Sequence, residues 1–160
     1  MWFIAIYGAG KVTISGNTFL STDGGLPLPG VPTTPLVSGA IVVTRTPGYE
    51  DQRETDCVLI EDNSIYLSGV YRDTVAIGHA HHAMVRRTNI VSINTPFVGL
   101  HFNRMLEGTE TPIGELAVSK VRFTRGSYET QKKIYDHSLA LTPAQVDALD
   151  PGENYNWSCD

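Results

Sequence analysis

The chain has 160 residues, of which 41% are hydrophobic and 18% charged, with a formal net charge of -5, enough for one domain with a buried core. Its 12 Lys and Arg residues form no dense run, which argues against the clustered phosphate neutralisation that nucleic-acid binding needs. No apolar stretch approaches the roughly 20 residues that cross a bilayer as a helix.

In chain order, Trp2-Phe3-Ile4-Ala5-Ile6 lacks a basic leader and soon meets Gly8-Ala9-Gly10, so it reads as a strand and not as a signal peptide. That suits a cytoplasmic or virion protein, or a fragment of a longer chain. The segment Lys11-Val-Thr-Ile-Ser-Gly-Asn-Thr-Phe19 follows after a tight connection. The proline-rich stretch from Leu26 to Pro35 reads as an extended arm suited to lying across a neighbour. Ile41-Val42-Val43 is the next strand, and an expanded connection leads to Cys57-Val-Leu-Ile-Glu-Asp-Asn-Ser-Ile65. Val75-Ala76-Ile77 then leads through Gly78-His79-Ala80-His81 to His82-Ala-Met-Val-Arg-Arg-Thr-Asn-Ile90. Phe97-Val-Gly-Leu-His-Phe102 leads through a second expanded connection to Lys120-Val-Arg-Phe-Thr-Arg-Gly-Ser-Tyr128. Thr142-Pro143-Ala144-Gln145 forms a capping box and Asp150-Pro151-Gly152 a stop, which predicts a short C-terminal helix.

The four nine-residue segments align without gaps, with apolar columns at Val12/Val58/Ala83/Val121, Ile14/Ile60/Val85/Phe123 and Phe19/Ile65/Ile90/Tyr128. The first two columns lie two residues apart and share one face of a strand. A corner follows at Asn17, Asn63, Thr88 and Gly126, where Asn and Gly tolerate a left-handed backbone and Thr fits poorly. A β-sandwich also consists of short strands, but does not repeat columns in one order. The predicted fold is therefore all-β: a short right-handed parallel β-helix of about four to five coils over residues 1–140. Loop insertions are expected at 20–40, 44–56 and 103–117, with a capping helix and tail at 141–160. No cap is visible ahead of the first coil, which predicts a covering partner there. Cys57 and Cys159 could pair, but two thiols so far apart in sequence make no disulfide framework and free thiols are preferred; Asn156-Trp157-Ser158 is read as a chance sequon.

"KVTISGNTF" and "VLIEDNSIY" resemble the coils of right-handed β-helix proteins: pectate lyases, polygalacturonases, alginate epimerases and bacteriophage tailspikes. The resemblance implies acidic polysaccharides as ligands or substrates and, for the phage members, a homotrimer. Thr22-Asp23-Gly24-Gly25 and Gly78-His79 distantly echo polygalacturonase motifs, but that family's adjacent Asp-Asp pair and Arg-x-Lys motif are missing.

Glu61-Asp62, Arg86-Arg87 and Thr124-Arg125 follow the second apolar column in successive coils. With coils about 4.8 Å apart, acidic and basic pairs adjoin. In pectate-lyase-like sites carboxylates hold Ca²⁺ and an arginine removes the proton, so Glu61, Asp62, Arg86 and Arg87 are the catalytic candidates for a polysaccharide lyase or depolymerase. The competing reading is a salt-bridge ladder, and a hydrolase is disfavoured because adjacent strand residues point to opposite faces. His79 and His81 share a face in an extended segment and in a trimer become a candidate metal site; otherwise they are turn histidines, and no other cofactor is expected. Tyr49, Tyr66, Tyr71, Asp51 and Glu54, on or near an acidic loop, are candidate glycan contacts. Taken together, the leading expectation is a non-enzymatic oligomeric module, a homotrimer with other virion or fibre subunits, on a virion or extracellular particle surface. It contacts polysaccharide, with neither nucleic acid nor membrane as partner.

Overall fold

The computed structural model describes residues 2–24, 39–46, 48–49, 51–69, 73–93, 98–103, 112–125 and 132–136. They form thirteen strands: β1 (Trp2–Tyr7), β2 (Lys11–Ser15), β3 (Thr18–Gly24), β4 (Gly39–Thr44), β5 (Thr55–Glu61), β6 (Ser64–Gly69), β7 (Asp73–Ile77), β8 (Ala80–Arg86), β9 (Asn89–Ile93), β10 (Val98–Phe102), β11 (Glu115–Ser119), β12 (Arg122–Arg125) and β13 (Lys132–Asp136). The described residues include no helix. The expected C-terminal helix and the proline-rich arm lie outside them.

Every third strand pairs. The first sheet runs β1-β4-β7-β10-β13, the second β11-β8-β5-β2 and the third β12-β9-β6-β3. The pairings are parallel, an order compatible with a parallel β-helix. The register follows the sequence columns: Val12 faces Val58 and Ile14 faces Ile60, Val58 faces Ala83 and Ile60 faces Val85, and Phe19, Ile65 and Ile90 line up in the third sheet. These side chains, with Ile41, Val43, Val75, Ile77, Leu100 and Phe102 from the first sheet, form one core. Alternation along each strand explains why: branched residues at every second position meet their equivalents one strand away.

Two expectations need correction. The fourth segment starts at Glu115 and not at Lys120, because Leu116 faces Ala83 and Val118 faces Val85, while Phe123 faces Ile90. The left-handed corner residue also falls one position early. Positive φ occurs at Gly16, Asp62, Arg87 and Lys120, so Thr88 escapes the strain expected of it. Thr88 instead donates its hydroxyl to the Arg86 carbonyl at 3.0 Å, as the Asn17 amide donates to Ser15 O at 3.0 Å. The corners stack through their backbones: Ser64 N–H donates to Asn17 O at 2.8 Å, Asn89 N–H to Asn63 O at 2.9 Å and Arg122 N–H to Thr88 O at 3.0 Å.

The thiols are a third correction. Cys57 is disulfide-bonded, and Cys159 is the other of the two cysteines in the sequence. Separation in sequence, which favours free thiols over a pair, does not decide pairing in a folded chain.

Candidate functional site

β5 and β8 end in register, with Glu61 opposite Arg86. The chain then turns at Asp62 (φ 55°) and Arg87 (φ 45°). That left-handed step swings Asp62 out of the strand alternation, so the two carboxylates do not diverge as adjacent strand residues would. Both reach Arg87: its Nη2 donates to Glu61 Oε2 at 2.6 Å and to Asp62 Oδ2 at 2.8 Å, and its Nε to Asp62 Oδ1 at 2.7 Å. Arg86 Nε donates to Glu61 Oε2 at 2.7 Å. The bond from Arg87 holds the Asp62 carboxyl below its ordinary value of 3.8. The reciprocal effect raises the Arg87 guanidinium, chiefly through the bond to Asp62. The structure thus gathers all four catalytic candidates, but each guanidinium meets a carboxylate, as in an interstrand ladder. Thr124 and Arg125 belong to β12 of the third sheet, and Ser119-Lys120 take the place expected of them.

The connection between β4 and β5 carries the loop candidates. It is closed by Thr46 N–H donating to Gln52 Oε1 at 2.5 Å and by Gln52 N–H donating to Tyr49 O at 3.2 Å. Thr46, Gly48, Tyr49, Asp51 and Gln52 border an open hollow of about 740 Å³. Tyr49 is 66% exposed there and Asp51 is exposed beside it. Glu54 pairs with His81 Nδ1 at 3.1 Å. Arg53 clasps both oxygens of Asp56 at 2.7 and 2.6 Å and lowers that carboxyl's pKa.

His79 and His81 do not share an extended face. His79 sits at the corner with φ 52°, is 6% exposed and donates Nε2–H to Gln52 O at 2.9 Å, pinning the loop. His81 points into solvent toward Glu54, and His82 pairs with Glu115 at 3.0 Å. Among the described residues no group of three or more His, Cys, Asp or Glu side chains is placed to hold a metal ion. No described helix is long and apolar enough to cross a membrane.

Tyr66 lies in another place, on the outer face of the third sheet, and Tyr71 is outside the described residues. Phe19, Ile65 and Ile90 point inward, so their neighbours point outward. Leu20, Tyr66, Val91 and Thr124 form one outward row, and Thr18, Ser64, Asn89 and Arg122 the next. Together they border a shallow groove of about 330 Å³. Leu20 is 64% exposed, Tyr66 and Val91 are half-buried, and Arg122 is exposed. A row of apolar and aromatic faces thus runs beside a row of hydroxyl, amide and guanidinium groups. Adding one position to the Phe19/Ile65/Ile90 column would have revealed this groove in the sequence. No family model, no curated protein and no solved structure matches this chain.

Proposed function

We propose that the chain is a short right-handed parallel β-helix of about four to five coils. It serves as a non-enzymatic, homotrimeric module of a phage-like virion or surface fibre that joins other subunits and contacts glycans. The observation that carries the adhesive part is the groove on the third sheet. Tyr66 and Leu20 offer apolar faces on which a sugar ring stacks, and Ser64, Asn89 and Arg122 supply hydrogen bonds from the adjoining row. Tyr49 and Asp51 add a second contact region at the loop hollow.

Self-association is supported by where exposed apolar side chains fall. Of the four large hydrophobic side chains exposed among the described residues, Tyr49 lies in a loop, while Phe3 (52% exposed), Tyr7 (40%) and Leu20 (64%) belong to β1 or β3, which, like β2, stand at sheet edges. Edges that no described strand pairs invite pairing. A disulfide at Cys57 favours an oxidising setting such as a particle exterior.

Lyase chemistry is the weaker reading. A proton-abstracting arginine must give up its own proton, and the bonds from Arg87 to Asp62 and Glu61 hold that proton more tightly.

The test combines light scattering with binding to an array of neutral and acidic glycans. A trimer whose glycan binding falls at least tenfold in Tyr66→Ala is expected, a loss of about 1.4 kcal/mol. A monomer that binds no glycan overturns the proposal. Unsaturated sugar products that disappear in Arg87→Ala favour the lyase instead.

A further inference from the structure

Among the described side chains, Glu54, Asp56, Glu61, Asp62, Asp73 and Glu115 each meet a basic group of the same chain. Asp51 meets none, and it is exposed beside Tyr49. On the basic side, Arg53, Arg86 and Arg87 are paired with carboxylates. The Asp56 carboxyl is lowered by its bond to Arg53 and further by the charges of Arg53, His81 and Lys11, so Lys11 also has a carboxylate near it. Lys120 and Arg122 have none, and both are exposed. They flank Val121 where β11 turns into β12. Ser119 lies opposite Arg86 and accepts from Arg87 N–H at 3.0 Å, which sets Lys120 next to Arg87 in the corner stack. Like charges this close repel, and the carboxylates that offset Arg87 are already engaged.

The unmatched charges stand at opposite ends of the second sheet. The loop of Asp51 leads into β5, and Lys120 follows the end of β11. Strands of five to seven residues lie between them, roughly 16–23 Å at about 3.3 Å per residue. No side chain closes that gap within one chain.

We propose that Asp51, with Tyr49 beside it, docks on Lys120 and Arg122 of a second copy of this chain. A carboxylate there reaches two cations, and an arginine that binds a carboxylate also stacks well on a phenol ring. Each copy offers the acidic loop at one end of the sheet and the basic corner at the other, so unlike surfaces meet and successive copies can close a ring. The contact rests on the self-association proposed above and names its polar side chains; it gives the Tyr49–Asp51 loop to a neighbouring copy in place of a glycan. Arg122 belongs to β12, the last strand in the order of the third sheet, so the contact falls at the end of the groove.

Sedimentation velocity over a range of concentrations gives the dissociation constant of the assembly. It is measured for the parent, for Asp51→Lys, for Lys120→Asp with Arg122→Asp, and for all three changes together. Each reversal sets like charges against one another and should raise the constant about tenfold or more. The combined variant restores opposite signs and should return to within about threefold of the parent. Circular dichroism checks folding; aspartate suits the left-handed backbone of Lys120 (φ 53°). A trimer whose constant is unchanged in Asp51→Lys overturns the contact and leaves self-association standing, the more so if that variant loses glycan binding. Folded reversal variants that the combined variant fails to rescue overturn it too. A monomeric parent overturns the contact and the self-association together. If a reversal variant unfolds, Asp51→Asn and Lys120→Gln decide, alone and combined: effects on the constant that simply add overturn the contact.

Discussion

Asn17 and Asn63 hold the same place in successive corners, yet Asn63 alone is withdrawn from water, at 1% exposed. Its Nδ2 donates to the Ile14 carbonyl at 2.8 Å. Its Oδ1 accepts from the Asn17 backbone N–H at 3.0 Å and from the Asn17 amide at 3.2 Å. Asn63→Ala takes a donor from one backbone group and an acceptor from another, each loss costing roughly 1–3 kcal/mol where water cannot substitute. The sum is about 2–6 kcal/mol. Asn17→Ala removes only bonds made by an exposed side chain and should cost about 1 kcal/mol or less. Asn63→Asp keeps the acceptor but aims a carboxylate at the Ile14 carbonyl, so it should also destabilise at neutral pH. Urea unfolding followed by circular dichroism gives the differences from the midpoint shift and slope. A cost for Asn63→Ala below about 0.5 kcal/mol, or one equalled by Asn17→Ala, refutes the idea that the buried amide ties the corners together.

Acid unfolding should depend on Asp62. Its folded pKa lies below 3.8 through the Arg87 bond, so its contribution is present above the unfolded value and fades as pH falls through the folded one. Stability measured from about pH 5 to pH 2 should therefore drop more steeply in the parent than in Asp62→Asn. Two glycines share backbone strain, and one adds crowding to it. A Cβ at Gly39 (φ 155°) would run into the Asp73 carbonyl oxygen and come within 2.7 Å of Trp2 Cζ3, whereas one at Gly16 (φ 69°) meets nothing. Gly39→Ala should cost roughly 2–3 kcal/mol or more through overpacking on top of its positive φ, and Gly16→Ala roughly 1–2 kcal/mol through the left-handed backbone alone; thermal unfolding resolves the two. Asp73 and His101 bond at 2.9 Å with side chains 1% and 4% exposed. Asp73→Ala should cost roughly 1–3 kcal/mol because the buried imidazole loses this hydrogen bond, and a loss under about 0.5 kcal/mol would deny the pair a structural role.

The repeat was readable where alternation and corner chemistry agree. Lys11, Cys57 and His82 start three segments whose pairing in the second sheet matches the sequence columns residue for residue. The fourth slipped because period-two alternation resembles itself: Val121 and Phe123 alternate as convincingly as Leu116 and Val118, which the fold uses. The corner was misplaced by one because Asn attracts attention as a left-handed residue. The fold instead puts Asp62, Arg87 and Lys120 there and keeps Asn63 for hydrogen bonding. Adjacency of the charged pairs followed from coil spacing, and the bonds of Arg86 and Arg87 to Glu61 and Asp62 bear it out. What the pattern could not supply was anything set by the non-repeating chain: the His79 turn, the Gln52 closure of the loop and the disulfide at Cys57 depend on long-range placement. β13, pairing β10, had no counterpart among the expected strands.

The parallel pairing order also fixes how the molecule carries load. Backbone hydrogen bonds between strands lie along the direction in which strands succeed one another, β1 to β4 to β7 to β10 to β13 in the first sheet. Tension along that direction pulls each layer directly from the next, and the stack gives way at its weakest layer. Tension along the strands shears a whole row of bonds at once and meets far greater resistance. The clasp of Arg87 on Glu61 and Asp62 is a rivet between the β5–β6 and β8–β9 layers, and the amide of Asn63 reaching Ile14 and Asn17 ties the β5–β6 layer to the one before it. Axial extension should therefore break first at layers that have no such side-chain link.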